Sequence, residues 1–444
     1  MEHITYENLK ALNDEFSKDM NSRIAMYAVM NSGVNKVSTD VEAVRRSRNE
    51  FSLNLKLGEI TNQKASGRCW MFAALNVMRY DVIKKLKLKN FEFSQSYPLF
   101  FDKLEKSNYF LEAVLENLDE PLKGRFMAHL LSAPLNDGGQ WDMFCNLLKK
   151  YGAVPKDVMP ESVSSSQTRE MNYYLTTKLR EFACTIREKY ENGVEISELR
   201  RIKDEMMYEI YKILCICLGK PPEHFDFEVR TEDDRYIRRV NISPKEFFDE
   251  YVGWNLDDYV SLINSPTSDK PFNHSYTVRY LGNVKEGKAV RYLNLEIEEL
   301  KKAALAQLQD GKPVWFGADV DHSMTSEEGI MDPGIFRADA IFGTEFKLSK
   351  GQRLDYSQSL MNHAMALVGV NLDENGKPER WRVENSWGKE KGKEGYYVMS
   401  DEWFDEYVFQ IVVNKKYLSA EQIENYEAEP IVLEPWDPMG SLAL

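Results

Sequence analysis

The sequence predicts an α+β protein whose helical parts come before a β-rich part, on three observations. After Cys69, the residues Met71, Phe72, Leu75, Met78, Val82, Ile83 and Leu86 recur at the three- and four-residue spacing of a helix with a core-facing stripe. Between about 165 and 260 the chain reads as long, charged, amphipathic helices. Beyond Tyr276 the pattern turns to short apolar runs rich in strand-forming residues, interrupted by one helix.

Taken in order, residues 1–60 read as a helical N-terminal arm followed by an irregular segment with the basic patch Arg45, Arg46 and Arg48. Residues 61–160 form a helical lobe. Ser66 and Gly67 stand before its first helix as cap and breaker, Ser94 or Ser96 can start a second helix, and the turn Asn136–Trp141 leads into a third that ends before Pro155. Residues 161–275 are expected to be a helical block. Met171, Leu175, Leu179, Phe182, Ile186 and Tyr190 mark one face and Leu199, Ile202, Met206, Ile210, Ile213 and Cys217 a second, so helix-on-helix packing is expected. Within it Ser243-Pro244-Lys245-Glu246 carries an N-cap, a proline at the first helical position and the glutamate of a capping box.

Residues 276–414 form the β-rich part, with a helix over 296–309 stopped at Gly311 and a hairpin loop at the Asn375-Gly376 pair between two apolar runs. Residues 415–444 read as a C-terminal arm, its last stretch held extended by Pro430, Pro435 and Pro438.

Composition narrows the function. With 444 residues and 43% hydrophobic content, the chain can bury a large core, which sets disorder aside. A formal charge of −14 weighs against general attraction to nucleic acid or anionic membranes. The five cysteines (69, 145, 184, 215 and 217) are odd in number, with no CxxC pair and no histidine cluster, so neither a disulfide framework nor a metal site is indicated and no cofactor is expected. The first twenty residues lack the apolar core of a signal peptide and no later run reaches membrane-spanning length, so a soluble cytoplasmic protein is expected.

The chemistry gathers around Cys69. A cysteine on the first turn of a helix meets unpaired N–H groups and the positive end of the macrodipole, which favour a thiolate. A thiol nucleophile also needs a base, a group that orients the base, and a donor for the oxyanion. His363 heads an apolar strand, Asn385 stands on the turn Glu384–Gly388, and Gln63 lies six residues before the cysteine. Each alone is an ordinary strand, turn or loop residue.

Together, Gln63 and Cys69-Trp70, then His363-Ala364, then Asn385-Ser386-Trp387-Gly388 followed by Gly395-Tyr396-Tyr397, resemble the papain superfamily of cysteine peptidases in their full order. His363 and Asn385 follow the cysteine by 294 and 316 residues. Papain-like spacing is about 130–150, so the surplus matches an insertion between two catalytic halves. The segments Ala65–Phe72, Asn136–Trp141, Met361–Met365 and Glu434–Gly440 make the chain similar to the bleomycin hydrolase and bacterial aminopeptidase C family over nearly its whole length.

That resemblance implies a two-lobed papain-like domain, one lobe helical and one β-barrel-like, with a large helical insertion serving oligomerisation and a C-terminal arm reaching the cleft. It implies a cytosolic thiol aminopeptidase, with bleomycin hydrolase-type amide hydrolysis, acting on peptides with a free N-terminus and assembled as a homohexamer. Cys69 would be the nucleophile, His363 the base, Asn385 its orienting group, Gln63 an oxyanion donor and Trp387 a shield over the His–Asn contact. Gly138 and Gly139 would pair with substrate backbone, and the terminal carboxylate of Leu444 would attract the substrate amine. A thiolate–imidazolium pair is expected at Cys69 and His363. The alternatives are a papain-like endopeptidase or thiol acyltransferase of the same chemistry, and a catalytically idle ring that binds nucleic acid.

Overall fold

The computed structural model describes residues 2–442. Its centre is the helix Cys69–Leu86, in which every residue from Cys69 to Tyr80 is buried. A helix apolar on all sides must be enclosed, and this one lies between other helices and the main sheet. It ends at Lys87, whose left-handed conformation turns its N–H back to the carbonyls of Ile83 and Lys84. Ser66 does not cap its start. The Ser66 hydroxyl donates to the Gln63 carbonyl at 2.6 Å, and Arg68 stands at the cap position without a side-chain bond to the helix.

The helices Ser96–Glu116, Arg125–Ser132 and Trp141–Tyr151 complete the helical part of residues 61–160. Residues 161–275 are more mixed than their helical periodicity suggests. The helices Arg169–Glu191 and Ile196–Leu218 do form, burying Met171, Leu175, Leu179, Phe182 and Ile186 on one and Leu199, Met206, Ile210, Leu214 and Leu218 on the other. Ile202, Ile213 and Cys217 are only half-buried, so the second face is rotated slightly from the expected one.

These two helices pack on Ser96–Glu116, where Phe100 meets Tyr211 edge-on at 5.6 Å and Arg200 and Lys203 hold Glu112. The chain then makes a hairpin, Phe225–Arg230 paired with Tyr236–Ile242. The capping box at Ser243 and Glu246 forms as expected, on a helix of one turn, Pro244–Phe247. The strand Tyr259–Ile263 enters the main sheet, so the segment returns to the core before residue 275.

That sheet has twelve strands. Its middle runs Tyr259–Ile263, Val408–Asn414, Val314–Ala318, His363–Leu372 and Pro378–Glu384, all antiparallel neighbours. His363 opens its strand opposite Ala318. The hairpin loop after Leu372 turns at Gly376, φ 78°, where Asp373 accepts the N–H groups of Asn375 and Lys377.

The N-terminal arm and the core contrast sharply. The helices Tyr6–Lys18 and Met20–Ser32 bury no residue and leave Leu9, Phe16, Met20, Tyr27 and Met30 exposed. In the C-terminal arm the helix Ala420–Glu427 precedes a short strand, Ile431–Leu433, and a single turn at Pro438–Gly440. No helix among the described residues is long and apolar enough to cross a membrane.

Candidate active site

The loop before Cys69 is fixed from three sides. Gln63 N–H donates to the Ser386 carbonyl at 2.8 Å, the Ser386 hydroxyl donates to Gln63 Oε1 at 2.7 Å, and Gln63 Nε2 donates to the Ser66 carbonyl at 2.7 Å. One proton of the Gln63 amide therefore remains for another acceptor. Arg68, fully buried, forks onto Glu161 at 3.0 and 2.8 Å. Gly67 N–H donates to Asp137 at 3.1 Å, and the same carboxylate accepts from Lys103, Thr168 and Asn172. These donors hold Asp137 well below the usual carboxylate range although burial opposes them.

Cys69 is buried, and the backbone N–H of Ala364 is among the groups that favour its thiolate. This sets the thiol beside the residue that follows His363. The His363 Nε2 lies 2.9 Å from Asn385 Oδ1, which also accepts the Ser386 N–H at 2.7 Å. With Nε2 engaged, Nδ1 is the ring nitrogen left for proton exchange with a thiol. The Trp387 ring lies over the imidazole, with centroids 4.7 Å apart and a tilt of 35°.

A buried ion pair, Arg79 with Glu384 at 2.9 Å, ties the Cys69 helix to the residue preceding Asn385. Breaking such a pair from one side costs roughly 3–5 kcal/mol, so it clamps the two halves of the site together.

Burial pushes the Cys69 thiol up to about 12, opposed by the N–H groups of Ala364, Trp70 and Cys69 itself. It pulls His363 down to about 4, opposed by the Asn385 hydrogen bond. Each group charged alone is therefore disfavoured, contrary to the lowered thiol pKa that the helix terminus suggests. Moving one proton from sulfur to ring charges both together, leaves the site neutral overall, and brings every one of these hydrogen bonds to bear on a charge.

The glycines have local reasons of their own. A Cβ at Gly139 would stand 2.5 Å from the Trp70 ring, and the Gly138 carbonyl accepts from Lys106 Nζ at 2.6 Å. The neighbouring Gln140 reaches the C-terminal arm: its Nε2 donates to the Ser441 carbonyl at 2.9 Å, and the Ser441 hydroxyl donates to the Met361 carbonyl at 2.9 Å. The arm is pinned before that point by Asp437 on the buried Lys270 at 2.9 Å and by Trp436 under the Arg125 guanidinium at 3.9 Å. Leu444 lies outside the described residues.

Cys69, His363, Asn385, Gln63 and Trp387 thus come from separate stretches of the chain into one cluster. Sequence reasoning missed Asp137, Arg68–Glu161, Arg79–Glu384 and Gln140, whose partners are distant in the chain. Only the polar turn at Asn136–Trp141 offered a signal. No group of three metal-ligating side chains stands together among the described residues.

The model of the Peptidase C1-like family matches residues 3–440. Aminopeptidase C of Listeria monocytogenes is 44% identical over 441 residues, 99% of either chain. Aminopeptidase C of Streptococcus thermophilus is 49% identical over 393 residues, 88% of each, and human bleomycin hydrolase 44% over 391 residues, 86% of each. The crystal structure of PepW from Lactobacillus rhamnosis superposes with a TM-score of 0.97 at 48% identity, covering 99% of both chains.

Proposed function

The chain belongs to the Peptidase C1-like family, and from that premise we propose that it is a thiol aminopeptidase removing N-terminal residues from peptides through a Cys69–His363–Asn385 centre. The observation that carries this is the cluster itself: a buried cysteine at the first turn of an enclosed helix, with His363 bonded to Asn385 beneath the Trp387 ring and Gln63 held on the residue after Asn385.

In this reading the Cys69 thiolate attacks the carbonyl carbon of the first peptide bond. The oxyanion is received by the Cys69 N–H and the free amide proton of Gln63. His363 protonates the departing amine from Nδ1, and the resulting thioester is hydrolysed by water that His363 deprotonates. Asn385 keeps the ring in one orientation, and Trp387 excludes water from that hydrogen bond. Gly138 and Gly139 present backbone to the substrate backbone.

The restriction to free N-termini comes from the C-terminal arm. Ser441, bonded to Gln140 and to the carbonyl two residues before His363, supports an arm that occupies the acyl side of the cleft. A chain filling that side leaves room for little beyond one residue before the scissile bond.

The exposed apolar residues of the first two helices support self-association, as a homohexamer. Five cysteines, all free, support a reducing, cytoplasmic setting.

The test is an aminoacyl fluorogenic amide with a free amine beside its N-acetylated twin, each with and without a thiol alkylator. Turnover of the free-amine substrate alone, stopped by alkylation, is the expected result. Equal cleavage of the blocked twin makes the protein an endopeptidase. No cleavage of either by folded protein removes the peptidase reading and turns attention to binding of labelled nucleic acid. Size-exclusion with light scattering reads the assembly, and a monomer at micromolar concentration refutes the hexamer.

A further inference from the structure

Beside His363 lies a cavity of about 650 Å³, walled by Gln63, His363, Trp387, Asp319, Asp321 and His322 among others. The cavity of about 270 Å³ lined by Ser441 and Leu442 shares Leu360 with it but includes neither Gln63 nor His363 nor Trp387. If the arm marks the acyl side, the larger cavity receives the leaving portion of the substrate, next to the imidazole that protonates it.

Its charge is one-sided. Neither lysine nor arginine lines it, whereas two carboxylates do. Asp319 is buried and held in place by neutral donors: Ser359 Oγ at 2.5 Å, Asn362 Nδ2 at 2.8 Å and the Asp321 N–H at 3.1 Å. Asn362 in turn accepts the Val320 N–H at 2.9 Å, so the acidic wall is rigid up to the residue before His363. The His322 ring, 3.3 Å from Asp319, also bonds the Gln358 carbonyl at 2.9 Å and stacks on Tyr407. Asp321 is exposed and has no basic partner within ion-pair distance among the described residues. Arg353 is engaged by Glu406 and Lys391 by Glu327.

We infer that this cavity is a subsite for the residue after the scissile bond, that it selects a cationic side chain there, and that Asp321 is the residue that sets the preference. The inference rests on the thiol aminopeptidase reading and adds a substrate class to it. Charges lining a concave, partly desolvated wall act on a ligand more strongly than scattered surface charges. The same field disfavours a free carboxylate, so a dipeptide, which brings its terminal carboxylate into this cavity, is a poorer substrate than the corresponding amide.

The experiment uses the full chain and three peptide amides, Ala-Lys-Ala, Ala-Gln-Ala and Ala-Glu-Ala, with released alanine quantified. We expect kcat/KM to fall in that order, with about a tenfold span between Lys and Glu at low salt from attraction and repulsion together. The span should shrink severalfold at about 0.5 M salt, as screening requires. Asp321→Asn should narrow it and Asp321→Lys should reverse it. Because Asp321 is exposed, both variants are expected to fold, and circular dichroism checks this.

Equal rates for the three peptides, or an order untouched by both substitutions, overturns the inference and leaves the aminopeptidase reading standing. Absence of turnover on all three, with folded protein, takes down both.

Discussion

Two neighbouring cavities, which share Leu360, are built in opposite ways. At one, the C-terminal arm is pinned at Trp436, Asp437 and Ser441 beside a small cavity with Arg279 and His129 in its wall. The other is larger, is walled by Gln63, His363 and Trp387, and is acidic. On the proposed reading, the difference gives a general hydrolytic centre its direction: an arm closing one side would limit the residues that can precede the scissile bond, while the open side would read the residue after it. The chemistry between them is common to both.

That common centre gives the largest expected effect. Cys69→Ala should lower kcat/KM on the free-amine substrate by at least about 10⁴, with the melting temperature nearly unchanged. Retained activity in the folded variant would leave the two sides without a shared nucleophile.

Asn385→Ala comes next, with a loss of roughly 10² in kcat. The Asn385 hydrogen bond raises the His363 pKa against the depression caused by burial. Without it the imidazolium gives up its proton at lower pH, so the alkaline limb of the kcat/KM profile should move down. An alkaline limb that stays in place would mean that Asn385 does not act on the ring's proton.

Deleting residues 436–444 sharpens the contrast between the sides. Cleavage of N-acetylated substrate relative to the free amine should rise about tenfold or more, because the acyl side then resembles the open one. An unchanged ratio would separate the arm from exopeptidase selection.

The smallest effect is on stability. Gly139→Ala sets a Cβ 2.5 Å from the Trp70 ring and should cost about 1–3 kcal/mol, read as a lower denaturation midpoint. A neutral result would indicate that the Gly138–Gln140 stretch moves away from the helix without strain.

Much of the fold follows from local pattern. The Cys69 helix, the strand at His363, the helices 169–191 and 196–218 and the hairpin loop at Gly376 each carry their periodicity or turn residues within a short window. The hairpin Phe225–Ile242 is legible too, since Phe225, Phe227 and Val229 alternate with charged residues, but it lies between helical stretches and its six- and seven-residue strands read as their continuation. The strand Tyr259–Ile263 has no local mark separating it from the insertion, because a short apolar run does not announce which sheet it joins.

By itself the sequence nominated the residues for the chemistry. A thiol at a helix start, a histidine heading a buried strand and an asparagine on a turn are specified by residue type and neighbours, and those are local quantities. Only the tertiary structure decided the rest: that Ser66 bonds Gln63 rather than capping the helix, that Arg79 and Glu384, 305 positions apart, form one buried pair, and that Asp319 and Asp321 face the same cavity as His363. Such contacts depend on how whole elements pack. A chain pattern that fixes an element's buried face leaves its partner, and so the charge and shape of the space between them, to the packing.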